Sequence, residues 1–220
     1  MRTVFMTLLL SASIAVASDN GEWKKTDETD GVTVYSRSTP GSAIKSVKGT
    51  GRVEVPVDVV ALVLVDDDRA PEWVDSLTEA KVLKLISGTE YVEYNHVAMP
   101  LIVSNRDFVT HVRMERDEKT HGVVMVSEPA DDAALPVRSG VVRGKLAAKY
   151  VLEPANDGKA TLLTVEIHAD PKGWLPSWVI NFFQKDWAHE TILGIRKQTA
   201  KKDLKPPTPF AAFLASVSAP

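Results

Sequence analysis

Short segments in which apolar and polar residues alternate fill the middle of this chain, each closed by a turn residue. The clearest is 160–169, where Leu163, Val165, Ile167 and Ala169 share one face and Thr164, Glu166 and His168 the other, the period of a half-buried strand. Similar strand-like runs occupy 77–86, 89–98, 105–116, 121–128 and 141–153, punctuated by Gly88, Pro100, Pro129, Pro136 and the Asn156-Asp157-Gly158 turn. Upstream, Val32 to Arg37 lies between turn signals at Asp30-Gly31 and Pro40-Gly41, and Ile44 to Val53 makes a second strand. Asp58 to Asp66 is apolar at nearly every position and follows Pro56, which suits a short buried helix, although periodicity alone does not separate it from a strand. Ala70 to Val74 opens another short helix, and the polar Glu22 to Thr29 reads as a short helix or an arm. Beyond Pro171 and Gly173, residues 174–200 read as one long amphipathic helix. Its face collects Leu175, Trp178, Val179, Phe182 and Leu193, together with Asp186 and His189, with Phe183 at the edge.

Many antiparallel strands, two short helices early and one long helix last predict an α+β fold. The concave face of a curved sheet needs an apolar cover, and only the C-terminal helix is long enough to supply it. Its aromatic stripe either fills a core or roofs a cavity; by itself such a stripe favours core.

The two ends read differently from the middle. Residues 1–17 carry one charge, Arg2, then an apolar run ending in Ala15-Val16-Ala17 before Ser18-Asp19-Asn20, the layout of a cleavable secretory signal. The folded domain is therefore expected over 22–200 in an exported protein. Residues 201–220 begin basic, break at Pro206, Pro207 and Pro209 and end in Phe210, Phe213 and Leu214, which predicts a Pro-rich, disordered tail, with contact to a membrane surface as the alternative.

Composition mainly excludes. With 26 Lys+Arg against 29 Asp+Glu, the chain lacks the basic excess of a nucleic-acid binder. The absence of cysteine removes thiol catalysis, disulfides and zinc–thiolate sites, and suits a bacterial periplasm. The histidines His96, His111, His121, His168 and His189 include no pair at helical metal spacing, so no metal and no cofactor is expected. Gly49-Thr50-Gly51 reads as a bend in a strand, and Asp66-Asp67-Asp68 as a solvated helix end. No nucleophile elbow and no phosphate loop is present.

Three motifs in order are more specific. Pro100 is followed by Ser104-Asn105-Arg106-Asp107-Phe108-Val109; Gly140-Val141-Val142-Arg143 precedes Tyr150-Val151-Leu152-Glu153-Pro154; and Asp170-Pro171-Lys172-Gly173-Trp174-Leu175-Pro176-Ser177-Trp178 runs on to Asn181. This series resembles the START (StAR-related lipid transfer) domain family, and the resemblance spans roughly residues 22–200. One position departs from it: where sterol-carrying members place an arginine six residues after the first motif's arginine, this chain has Val112, with Arg113 one later and facing the other way.

The resemblance implies a helix-grip fold, a curved antiparallel sheet wrapped around a long C-terminal helix with a lipid-sized cavity between. It implies a monomeric, non-enzymatic protein that binds a lipid or other hydrophobic small molecule, with transient contact to a membrane. Trp178, Phe182, Phe183 and Phe108 are then candidate wall residues, and Tyr94, Asn95, Arg106, Asp186 and His189 candidate polar contacts. Arg106 has an alternative reading as a buried ion pair with Glu93. The alternative function is a cyclase or hydrolase on the same scaffold, using Asp186 with His189, or Arg106.

Overall fold

The computed structural model describes residues 21–100, 102–131, 135–175, 180 and 186–218. Ten strands form one sheet: β1 (Lys24–Thr29), β2 (Val32–Arg37), β3 (Ser46–Val53), β4 (Leu77–Ser87), β5 (Glu90–Val97), β6 (Asn105–Asp117), β7 (Gly122–Pro129), β8 (Val141–Arg143), β9 (Lys145–Ala155) and β10 (Ala160–Asp170). The order across the sheet is β1-β2-β3-β10-β9-β7-β6-β5-β4, antiparallel throughout, with β8 alone lying parallel on β6. The run expected as one strand over 141–153 is thus broken at Gly144. A Cβ there would lie 2.4 Å from the Phe108 ring, so only glycine allows the chain to turn inward at that point.

Glu22 to Thr29 is neither a helix nor a free arm but the edge strand β1, paired with β2. Its side chains are all exposed, so no apolar alternation marked it, and charge on an edge strand guards against further pairing.

Helix α1 (Val57–Val65) is apolar except for Asp58 in its first turn and buries Val57, Val60, Ala61, Val63 and Val65. It packs on β7, β9 and β10. A 3₁₀ turn over Asp67–Glu72 follows. Helix α2 (Trp187–Thr199) buries Ala188, Thr191, Ile192, Ile195, Gln198 and Thr199 against β2, β3, β10 and α1. Gly49 and Gly51 make that approach possible: a Cβ at Gly49 would lie 3.0 Å from the Ala188 Cβ. The glycine pair is a seat for the helix.

Of the stripe predicted from Leu175, Asp186 is the N-cap residue of α2, and His189 and Leu193 are half-buried beside its buried face; residues 176–179 and 181–185 lie outside the described residues.

The C-terminal segment is also corrected. Thr208–Phe210 forms a 3₁₀ turn and α3 (Ala211–Ser218) a helix packed on α1, with Phe210, Phe213, Leu214 and Val217 buried. Pro207 and Pro209 start this turn, and the apolar residues beyond them are core. The Phe210 ring stands 5.0 Å from that of Tyr91. Among the described residues no helix is long and apolar enough to cross a membrane.

Candidate ligand-binding site

Between the sheet's concave face and the cover formed by α1, the Asp67–Leu77 turn and α2 lies a cavity of about 350 Å³. Residues two apart on a strand share a face, and the lining follows that rule: Glu93, Asn95 and Val97 from β5, Phe108 from β6, Met125 and Ser127 from β7, Leu146, Ala148 and Tyr150 from β9, Ile167 and Ala169 from β10. Leu64, Ala70, Trp73, Trp187 and Thr191 close the opposite side. Trp73 is held there by α2: a Cβ on Gly194 would lie 2.4 Å from the Trp73 carbonyl oxygen, so helix and turn meet backbone to backbone.

This mostly apolar wall carries one polar cluster. Glu93 Oε1 accepts the Thr110 hydroxyl at 2.8 Å and the Asn95 amide at 2.9 Å. Enclosure raises the Glu93 carboxyl above its ordinary range, although both hydrogen bonds pull it back. Asp67, on the opposite wall, is pushed up to about 8, first by burial and then by the negative charges of Glu93, Asp68 and Asp66. Its Oδ2 is buried without a hydrogen-bond partner, as is the Tyr91 hydroxyl. Burial, then Glu93, raises the Tyr150 phenol. Four carboxylates line the cavity, Asp67, Asp75, Glu93 and Glu190, and among the described lining residues there is no lysine, arginine or histidine. No group of three or more His, Asp or Glu among the described residues is placed to hold a metal.

Of the residues singled out in the sequence, Asn95 and Phe108 line the cavity. Tyr94 is buried but lies on the other face of β5, under Arg138 and Lys81, each 5.1 Å from its ring. Arg106, only 2% exposed, does not line the main cavity or pair with Glu93; it borders a small pocket that shares Val97, Phe108 and Ala169 with the cavity. It donates to the carbonyl oxygens of Pro171 at 3.2 Å, Lys172 at 3.1 Å, Trp174 at 3.3 Å and Ser104, and so clasps the loop after β10 to the start of β6. Burial lowers its pKa, yet these carbonyl dipoles satisfy the charge without a carboxylate. Asp186 and His189 do not line the cavity; His189 lies 3.3 Å from Asp30. Trp178, Phe182 and Phe183 lie outside the described residues.

Asp67, Tyr150 and the cavity-facing role of Glu93 were missed. The middle acid of Asp66-Asp67-Asp68 is enclosed because the 3₁₀ turn faces it inward, which no charge pattern reveals. Tyr150 was legible in principle, since it shares strand parity with Leu146 and Ala148.

Residues 8–199 match the START domain family. An uncharacterized protein of Pseudomonas aeruginosa is 30% identical over 206 residues, covering 92% of this chain and 100% of its own length. The bovine phosphatidylcholine transfer protein is 32% identical, over 77% of this chain and 80% of that protein. Among solved structures, the STAR-related lipid transfer protein fragment from Xanthomonas axonopodis superposes with a TM-score of 0.72 at 28% identity, covering 81% of this chain and 99% of the fragment. The helix-grip architecture, the motif series and these likenesses agree: the chain belongs to the START domain family.

Proposed function

We propose that this protein binds a lipid chain in the cavity and carries it between membranes without converting it. The observation that carries the reading is the cavity itself: about 350 Å³, walled mainly by apolar side chains with a few convergent polar groups. Burying hydrocarbon there is worth about 0.8 kcal/mol per CH₂, enough to compete with a bilayer without any catalytic group. The relatives named as a phosphatidylcholine transfer protein and a STAR-related lipid transfer protein support the same reading. The candidate catalytic pair Asp186 and His189 is not brought to the cavity.

Docking to the donor membrane falls to three exposed apolar side chains rather than to the packed C-terminal helix. Ile102 is 71% exposed, Trp174 72% and Val137 48%. Arg106 ties the Ser104 and Trp174 loops together, and Arg143, paired with the neighbouring Asp107 at 2.7 Å, reaches the Leu135 carbonyl. The three side chains therefore project from adjoining loops. The same proposal makes the protein an exported one, on the strength of residues 1–17. Incubating the purified protein with liposomes and re-isolating it tests the reading: about one lipid per chain is expected, and a lipid-free protein would refute it.

A further inference from the structure

We infer that the buried end of the ligand is a cation: an amphiphile whose ammonium head sits against Asp67 and Glu93, with its hydrocarbon along the apolar wall. The inference rests on the lipid-binding reading and names the class of head group.

The cavity presents negative groups with nothing to answer them. Two enclosed carboxyls from opposite walls meet no lysine, arginine or histidine among the described lining residues. Glu93 has two neutral hydrogen-bond donors, Thr110 and Asn95, and no counter-charge. Asp67 Oδ2 has no donor at all. Beside them the Tyr91 hydroxyl is fully buried, has no hydrogen-bond partner and lies on the Glu93 face of β5. Leaving such groups unanswered is expensive in a low-dielectric site, so a built site of this kind is incomplete without its ligand.

The chemistry of the head group follows by elimination. A carboxylate or phosphate head would add negative charge to an acid pair and find no cation there. A hydroxyl would supply a donor to Asp67 but no positive charge to displace its proton. An ammonium supplies both, and Trp73 and Tyr150, lining the cavity from its two sides, are side chains whose π faces attract cations. The elevated Asp67 carboxyl agrees with this: with no basic side chain among the described residues lining the cavity, it holds a proton that a cation would displace. The charges that act on it are Glu93 on β5 and Asp68 and Asp66 beside it in sequence, with the Tyr91 phenol nearby; Arg69, on the same turn, is taken up by Glu72 and Asp203. Binding an ammonium therefore expels that proton.

The test is isothermal calorimetry on the full chain at neutral pH with dodecylammonium, dodecanol and dodecanoate, each below its micellar concentration. Dodecylammonium should bind at least about tenfold tighter than dodecanol, and dodecanoate weakest. Its heat should change with the ionisation enthalpy of the buffer, the signature of proton release. Asp67→Asn and Glu93→Gln, singly and together, should bring the ammonium-to-alcohol ratio towards one. The single variants keep the test decisive if the double variant does not fold. Dodecanoate binding as tightly as dodecylammonium, or a preference that survives in the folded variants, would overturn the head-group assignment alone. Failure of every probe to bind would overturn the lipid-binding reading together with it.

Discussion

Thr110 stands directly opposite Glu93 in the β5–β6 ladder and gives its hydroxyl proton to Glu93 Oε1 across a 2.8 Å hydrogen bond. Thr110 is itself fully buried, so the bond fixes one carboxylate at a set depth in the cavity wall. The bond favours the ionised form of Glu93 against the burial that opposes it. Thr110→Val keeps the shape and removes the donor. The Glu93 carboxyl should then titrate at higher pH, read from its carboxyl infrared band or side-chain NMR, with a stability loss of about 1–2 kcal/mol. An unmoved titration would show that the bond does not tune this group.

Asp67 sets a pH dependence of stability. Its pKa in the fold, about 8, lies above the ordinary carboxyl value of 3.8, so the folded state holds the proton more tightly than the unfolded chain. Its contribution is fully present below the ordinary value and is lost as pH rises towards 8. Asp67→Asn removes that dependence. Urea denaturation should show the wild type losing stability across this window, and the variant losing markedly less. Parallel pH profiles for the two would contradict the placement of Asp67.

Arg106 is a clasp, and the clasp predicts a stability phenotype. Arg106→Ala leaves a buried gap and strips the donors from the carbonyls of Ser104, Pro171, Lys172 and Trp174. The expected loss is about 3 kcal/mol or more in urea denaturation. Arg106→Lys should recover only part of it, because an ammonium lacks the planar fork that spans several acceptors. Full rescue by lysine would mean that charge, and not geometry, is what the site needs.

The packed C-terminal segment predicts a second one. Phe210 is 1% exposed against Tyr91, on the strand that carries Glu93. Phe210→Ala should cost about 3–5 kcal/mol and make residues 205–218 the first site of limited proteolysis. A variant as stable as wild type would restore the reading of this segment as a loose tail.

The exposed loops predict a separation of rates. Ile102→Ser combined with Trp174→Ser should slow liposome-to-liposome transfer several-fold while leaving the affinity for a soluble dodecyl probe unchanged. Unchanged transfer would move the docking surface elsewhere.

The strand architecture was legible because alternation is a local property: Leu163, Val165 and Ile167 are all buried, as their spacing requires. Asn95, Phe108 and Tyr94 were named from the family resemblance, and strand parity sorts them: Asn95 and Phe108 line the cavity, while Tyr94, next to Asn95 on β5, necessarily faces the other way. In the last helix the buried face is set by Ala188, Thr191, Ile192 and Ile195, beside the His189 and Leu193 that the count from Leu175 selects. The acid pair was illegible for a deeper reason. Asp67 and Glu93 come from a turn and a strand far apart in sequence, and only tertiary enclosure turns two ordinary carboxylates into one site. Phe210, Phe213 and Leu214 were visible as apolar residues, but prolines that look like a linker turned out to redirect the chain onto α1.

The most direct test of the lipid-carrier reading is native mass spectrometry of the protein after exposure to mixed-lipid liposomes, compared with Ala148→Phe. Ala148 is a small wall residue between Leu146 and Tyr150, so a phenyl ring there occupies the ligand space while the sheet is retained. The account predicts one lipid bound to each wild-type chain and none, or nearly none, to the folded variant. A wild type that takes up no lipid, or a folded Ala148→Phe that takes up as much, would contradict it.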